Sequence, residues 1–155
     1  MMKNPLFIFR DERGTSIVEM ALAAPLLATF VIGMVDLSRA YSGKLQVEQA
    51  AQRTIEMVQR NGFTAGTEST LQTEAQTAAG TGSAAVVTSS LECTSSGGSV
   101  TTKAYTATCS SGDTYARFVR VTITKSYTPF FRVKWDRTSP SGTWTLNGSA
   151  GLRVQ

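Results

Sequence analysis

The spacing of hydrophobic and polar positions changes along the chain, and its first pattern is an uninterrupted apolar run. From Met20 to Val35 sixteen residues carry no charge, and with their neighbours they form an apolar segment of residues 15–37. At a rise of about 1.5 Å per residue, a helix of this length reaches across the hydrocarbon core of a bilayer. We therefore expect a transmembrane helix over residues 15–37.

Helical spacing continues beyond this segment, although the composition becomes more polar. Apolar side chains recur every three or four residues up to Asn61-Gly62, a pair typical of a helix C-terminus. The recurring side chains are Leu37, Tyr41, Leu45, Ala51, Ile55 and Val58. Residues 38–62 are thus predicted to be an amphipathic continuation of the same helix. Pro25 predicts a kink in the apolar half, because it cannot donate a helical hydrogen bond.

The rest of the chain, residues 63–155, combines a short helix with strands. Glu68 to Ala79 permits a second helix, and from Ala84 apolar residues recur at every second position, as in a β-strand. ARFVRVTITKSY predicts the central strand, SAAVVTSSLEC and SVTTKAYTATC a hairpin around TSSGG, and TWTLNGSAGLRV a last strand. This order predicts an α+β fold, in which a long helix packs its apolar stripe on a small antiparallel sheet.

Composition narrows the possible functions. The net charge is +4, but the lysines and arginines form no dense block, so we expect no nucleic-acid partner. The chain has no histidine, which removes the commonest general base and a common metal ligand. It also lacks a phosphate-binding glycine loop and a nucleophile beside a base. We therefore expect no enzymatic activity, no metal and no cofactor.

The two cysteines, Cys93 and Cys109, have fifteen residues between them. If this part of the chain lies outside the cytoplasm, an even number of cysteines favours one disulfide. Closing so short a loop stabilises a fold by about 3 kcal/mol on the chain-entropy model. The alternative is a pair of unrelated reduced thiols.

The N-terminal segment allows three interpretations. The first is a secretory signal peptide cleaved after Ser38-Arg39-Ala40. The second is an ordinary single-span anchor, with Glu19 reaching the lipid headgroups. The third is a cytoplasmic leader peptide, residues 1–14, removed by a cut after Gly14 that leaves Thr15 as the new N-terminus and Glu19 as its fifth residue.

The third interpretation is supported by a family resemblance. The stretches GTSIVEMALAAPLL and VDLSRA, which include Gly14, Glu19 and Pro25, resemble the type IV pilin class of signal. More narrowly, they are similar to the TadE-like family of minor pilins, or pseudopilins, of Tad (Flp) pilus systems. The resemblance implies a pilin-like fold and a role in the biogenesis of a pilus for adhesion, biofilm formation and surface attachment.

The resemblance also implies a site and partners. A prepilin peptidase would cut between Gly14 and Thr15, and Glu19 would then meet the terminal amine of a neighbouring subunit and set the register of assembly. The expected partners are other pilins or pseudopilins, the pilus assembly platform and the peptidase. The chain would cross the cytoplasmic membrane once, with its N-terminus inside and its C-terminal domain in the periplasm or outside the cell. The alternative is a membrane-anchored extracytoplasmic module that binds a ligand without polymerising.

Overall fold

The computed structural model describes residues 15–130 and 142–154, which form two helices and four strands. The elements are α1 (Thr15–Asn61), α2 (Glu68–Ala79), β1 (Ser83–Thr94), β2 (Val100–Ala104), β3 (Thr114–Tyr127) and β4 (Trp144–Arg153). The chain divides into two compact units, Met1–Ser38 and Arg39–Gln155. The predicted α+β architecture, a long N-terminal helix with a small antiparallel sheet, is confirmed.

Helix α1 is a single α-helix of 47 residues. It remains helical on both sides of Pro25, and the kink expected there stays a prediction. The helix ends at Asn61, and Gly62 follows with a φ of 75°. Glycine adopts this left-handed conformation without a steric penalty, so the Asn61-Gly62 pair ends the helix as its sequence predicts.

The four strands form one antiparallel sheet in the order β2-β1-β3-β4. Strand β3 lies inside the sheet, as predicted, and pairs with β1 from Thr114 to Lys125. The register places Val121 opposite Val87 on one side and opposite Ala150 on the other. Because directly opposed residues in antiparallel strands point to the same face, this register brings the apolar residues of three strands onto one face.

That apolar face forms the core together with α2 and the part of α1 beyond Arg39. The buried residues of the core are Val47, Ala50, Ala51, Ile55, Val58, Leu71, Ala75, Ala79, Ala85, Val87, Val119, Val121 and Ile123. Half of the helical members are alanine, and most of those from the strands are β-branched. Small residues let the helices approach the sheet closely, and β-branched residues suit the pleated surface.

The buried stripe of α1 differs from the predicted one. Ala51, Ile55 and Val58 are buried as expected, but Leu37, Tyr41 and Leu45 are exposed, and the predicted stripe is wrong over those three positions. The buried residues there are instead Asp36, Ala40, Val47 and Ala50. The periodicity had selected the larger apolar side chains, whereas the approach of α1 to the sheet leaves room only for smaller ones.

The closest approach lies where α1 crosses β4. A Cβ atom added at Gly148 would lie 2.6 Å from the carbonyl carbon and oxygen of Val47. One added at Gly43 would lie 2.9 Å from Cδ1 of Leu146. Beside these contacts, Nζ of Lys44 donates a hydrogen bond to the carbonyl oxygen of Asn147. The backbone of the helix therefore rests directly on the strand, and Gly148 leaves the space for it.

Helix α2 is fastened at both ends. At its C-terminus, Nζ of Lys125 donates to the carbonyl oxygen of Ala79 and to Oε1 of Gln46, both at 2.9 Å. At its start, the hydroxyl of Ser89 donates to Oε1 of Glu68 at 2.8 Å, and the N–H of Gly66 donates to Oε2 at 2.7 Å. The backbone N–H of Glu68 itself, followed by the Ser89 hydroxyl, lowers the pKa of this carboxyl below its ordinary value.

The opposite face of the sheet is polar and open. Its side chains, which alternate with those of the core, include Thr88, Glu92, Arg120 and Ser149, and they line a shallow groove around Gly151. Phe118 is the one aromatic residue that lines this groove among the described residues, and it is half-buried. This outer face carries no part of the core.

Substituting Gly148 with alanine tests the close approach. We expect Gly148→Ala to lower the free energy of unfolding by about 1–3 kcal/mol, because its methyl group collides with the backbone of α1. Gly151→Ala is the matched control in the same strand, since a Cβ there meets only the carbonyl oxygen of Val119 at 3.5 Å. Thermal and urea unfolding of the full chain in detergent measure both. Equal losses in the two variants would contradict the proposed contact.

Candidate functional site

The N-terminal half of α1 exposes apolar side chains on all sides. Its large exposed residues are Ile17, Val18, Met20, Leu22, Leu26, Leu27, Phe30, Val31, Met34 and Val35. Within residues 15–130 and 142–154, α1 is the one helix that is long and apolar enough to cross a membrane, and none of its apolar window is buried. A helix that is apolar all round needs an apolar environment along its whole circumference. This half of α1 is thus suited to lipid or to other apolar helices.

Glu19 is the one charged residue between residues 16 and 35, and its side chain is exposed on this helix. Thr15 begins α1, four residues earlier, so the backbone of Thr15 and Glu19 fall on the same side of the helix. Gly14, the other residue of the predicted cleavage site, lies outside the described residues. A lone carboxylate on an apolar surface is costly in lipid, so it favours a cationic partner.

Pro25 interrupts the hydrogen bonding of the same helix. It cannot donate to the carbonyl oxygen of Ala21, which a normal residue at this position would do. One turn later, Oγ1 of Thr29 donates to the carbonyl oxygen of Leu26 at 2.7 Å. Such an interruption is tolerated in a membrane helix where neighbouring helices or hydroxyl groups supply the missing donor.

Asp36 closes the uncharged segment and is buried. It is engaged in a polar or electrostatic interaction, as a buried carboxylate requires. The sequence marks Asp36 as the border of the apolar segment, but its burial could not be predicted from the helical pattern, which favoured its neighbour Leu37.

An aromatic ring lies against the first turn of α1 in the folded unit, and an aromatic pair closes the sheet. The guanidinium of Arg39 lies 4.8 Å from the ring centre of Phe130. Tyr127 and Trp144 form the last pair of the ladder between β3 and β4, and their ring centres are 6.0 Å apart. Neither the contact of Arg39 with Phe130 nor the pair of Tyr127 and Trp144 was predicted as a site, since the two partners of each are far apart in the sequence.

Cys93 and Cys109 form the predicted disulfide, with their Cα atoms 5.6 Å apart. Cys93 is buried in β1, whereas Cys109 lies in the loop after β2 and not in the paired strand that was predicted. Strand β2 ends at Ala104, where a turn forms as the N–H of Ala107 donates to the carbonyl oxygen of Ala104. The disulfide therefore fastens this loop onto β1.

The loop is also held by Arg117 of β3. Its Nε donates to the carbonyl oxygen of Tyr105 at 3.1 Å, and its guanidinium lies 5.5 Å from the centre of that tyrosine ring. The ring of Tyr105 in turn packs edge-on against Phe63, with centres 4.8 Å apart. These contacts turn the chain out of β2 and bring Cys109 back to Cys93.

Replacing both cysteines tests the contribution of this bond. We expect Cys93→Ala/Cys109→Ala to lower the free energy of unfolding by about 3 kcal/mol, since the bond closes a loop with a sequence separation of 16. Urea unfolding of the oxidised protein, the reduced protein and the variant measures the effect. Alkylation of both thiols in protein isolated without a reductant would contradict the bond.

The comparison with protein families gives a match in this part of the chain. The family model for TadE-like protein matches residues 14–55, a range that contains Gly14, Thr15, Glu19 and Pro25. Among curated proteins and among solved structures, none matches the chain significantly. The apolar half of α1, with Glu19 as its single carboxylate, lies within this match. Residues 14–55, which we call the TadE-like segment, are thus similar to the family, as the sequence resemblance predicted.

Proposed function

We propose that this protein is a minor pilin or pseudopilin that takes part in the biogenesis of a Tad (Flp) pilus. One observation carries the proposal: residues 16–35 of α1, which are exposed and apolar and carry a single carboxylate, Glu19, lie within the TadE-like segment. A soluble protein would gain nothing from such a surface, since it would bind apolar surfaces without specificity. A subunit that leaves the membrane to pack among similar helices requires it.

The first step of this function is processing. A prepilin peptidase removes residues 1–14 by cutting between Gly14 and Thr15. Gly14 suits this cut because, without a side chain, it lets an extended backbone enter a close-fitting active site. The cut gives Thr15 a free amine, which has an ordinary pKa near 8 and is therefore mostly protonated at neutral pH.

The second step is assembly. In an apolar environment, the charged amine of one subunit and the carboxylate of Glu19 in another attract each other strongly. Each is costly to leave unpaired there. The pairing fixes the axial position of one helix against the next, so Glu19 is proposed as a register residue and not a catalytic one. We likewise propose that the protein is not an enzyme.

The proposed location follows from the same chemistry. The chain crosses the cytoplasmic membrane once through the apolar half of α1, with residues 1–14 in the cytoplasm. The unit that begins at Arg39 then lies in the periplasm or outside the cell, where the disulfide between Cys93 and Cys109 is stable. The partners are other pilins or pseudopilins, the assembly platform and the peptidase, and the pilus serves attachment.

A second candidate function is a membrane-anchored module that binds an extracytoplasmic ligand without polymerising. The open polar groove on the outer face of the sheet, with Arg120 and Glu92 on its walls, favours it. This function does not need Glu19, because an anchor works without a charged residue in its span. The effect of substituting Glu19 therefore separates the two candidates.

The N-terminus of the mature protein tests the processing step. We expect mass spectrometry of the protein from cells with an active prepilin peptidase to show a chain that starts at Thr15. Gly14→Val is expected to block the cut, since a branched side chain would not fit the close-fitting site. Cells without the peptidase serve as the control and should give the unprocessed chain. A mature start at Met1 would support a plain anchor, and a start at Tyr41 a signal peptide.

Glu19→Gln tests the assembly step. We expect insertion and processing to be retained but incorporation into pili to be lost, since breaking a buried charge pair costs about 3–5 kcal/mol. Glu56→Gln is the matched control, because Glu56 is exposed on the same helix and its ion pair with Arg60, at 3.8 Å, is also exposed. Immunoblots of sheared pili and of membranes measure both. Normal piliation in Glu19→Gln would contradict the assembly role.

A further inference from the structure

One end of the folded unit carries an arginine and four aromatic side chains, which we call the aromatic end: Arg39, Tyr41, Tyr127, Phe130 and Trp144. Three of the rings are open to solvent, with exposed fractions of 64% for Tyr41, 65% for Phe130 and 40% for Trp144. Pro129, next to Phe130, is buried and fixes the chain from which that ring projects. Aromatic rings so exposed contribute nothing to the core.

The contacts of α1 with β4 and with Phe130 indicate that Arg39 and Trp144 lie at about the same level of the folded unit. Arg39 meets Phe130, Gly43 meets Leu146, and Val47 meets Gly148, so that helix and strand advance together. Trp144 precedes Leu146 by two residues, or about 7 Å of strand, and Arg39 precedes Gly43 by about 6 Å of helix. Trp144 therefore lies at about the level of Arg39, where α1 enters the folded unit.

The position of the aromatic end in the chain indicates what covers it. Arg39 follows Leu37, the last residue of the apolar segment, by two residues. Where a spanning segment ends, a protein meets the headgroup layer, and tryptophan and tyrosine are enriched there because their rings are amphipathic. Arginine is also suited to this layer, since its guanidinium binds phosphate while its stem stays in an apolar environment.

We propose that the aromatic end rests in the lipid headgroup layer of the membrane that α1 crosses, with Trp144 and Phe130 in the layer and Arg39 on lipid phosphate. This inference rests on the proposed membrane anchoring, and it is independent of Glu19 and of pilus assembly. Before assembly, the folded unit would thus be held against the membrane surface by its own side chains in addition to its helix.

Quenching of tryptophan fluorescence by brominated lipid tests the inference. The chain has two tryptophans, so Trp135→Phe leaves Trp144 as the single reporter. The full chain is reconstituted in vesicles of phosphatidylethanolamine and phosphatidylglycerol, with or without phosphatidylcholine brominated near the top of its acyl chains. We expect the brominated lipid to reduce the emission of Trp144 on the order of twofold, as for a ring at the membrane interface.

Two further variants, in which both native tryptophans are replaced by phenylalanine, serve as references. Tyr115→Trp places the reporter at the opposite end of β3, where the native side chain is 50% exposed, and should show little quenching. Phe30→Trp places it in the apolar half of α1 and reports whether the span is in lipid.

Each outcome decides the inference. Quenching at Trp144 well above that of Tyr115→Trp supports it. If Phe30→Trp is quenched but Trp144 behaves like Tyr115→Trp, the inference is overturned while the anchoring stands. If neither Phe30→Trp nor Trp144 is quenched, the anchoring and the inference both fail. A change in Trp144 emission that follows the protein-to-lipid ratio and not bromination would assign the aromatic end to a second copy of the chain, and would also overturn it.

Discussion

The contact of α1 with β4, the backbone of Val47 on Gly148, constrains most of the folded unit. A helix that lies this close to a strand can place only small side chains or glycine between the two backbones. Ala40, Gly43 and Ala50 accordingly take the sheet side of α1, and larger residues such as Tyr41 point outward. The same proximity brings Lys44 to the carbonyl oxygen of Asn147, so that a polar contact borders the apolar one.

Local patterns in the sequence were enough to predict the elements, but not how closely they approach. The long helix, its end at Asn61-Gly62 and the central strand follow from spacing, and all three are confirmed. The buried stripe of α1 was predicted wrongly near Tyr41, because periodicity marks large apolar side chains and does not reveal that a glycine lies opposite. The second hairpin arm was predicted too long, because the contacts that Tyr105 makes with Phe63 and Arg117 join segments distant in the sequence.

Some residues of the candidate site could likewise be predicted from the sequence, whereas others could not. Glu19 and Pro25 are recognisable from the sequence because their environment is set by neighbours on one helix, and the TadE-like match falls on that helix. The position of Arg39 beside Phe130 is tertiary, and no spacing rule reveals it. The match covers residues 14–55, which end within α1, so the family likeness describes this helix.

The outer face of the sheet has a different consequence. Its residues, among them Thr88, Arg120 and Ser149, alternate with core residues in the same strands but are not part of the core. Surface substitutions of this kind usually change stability by less than about 0.5 kcal/mol. The side chains of such a face can change without disturbing the core, so a new surface chemistry does not require a new fold.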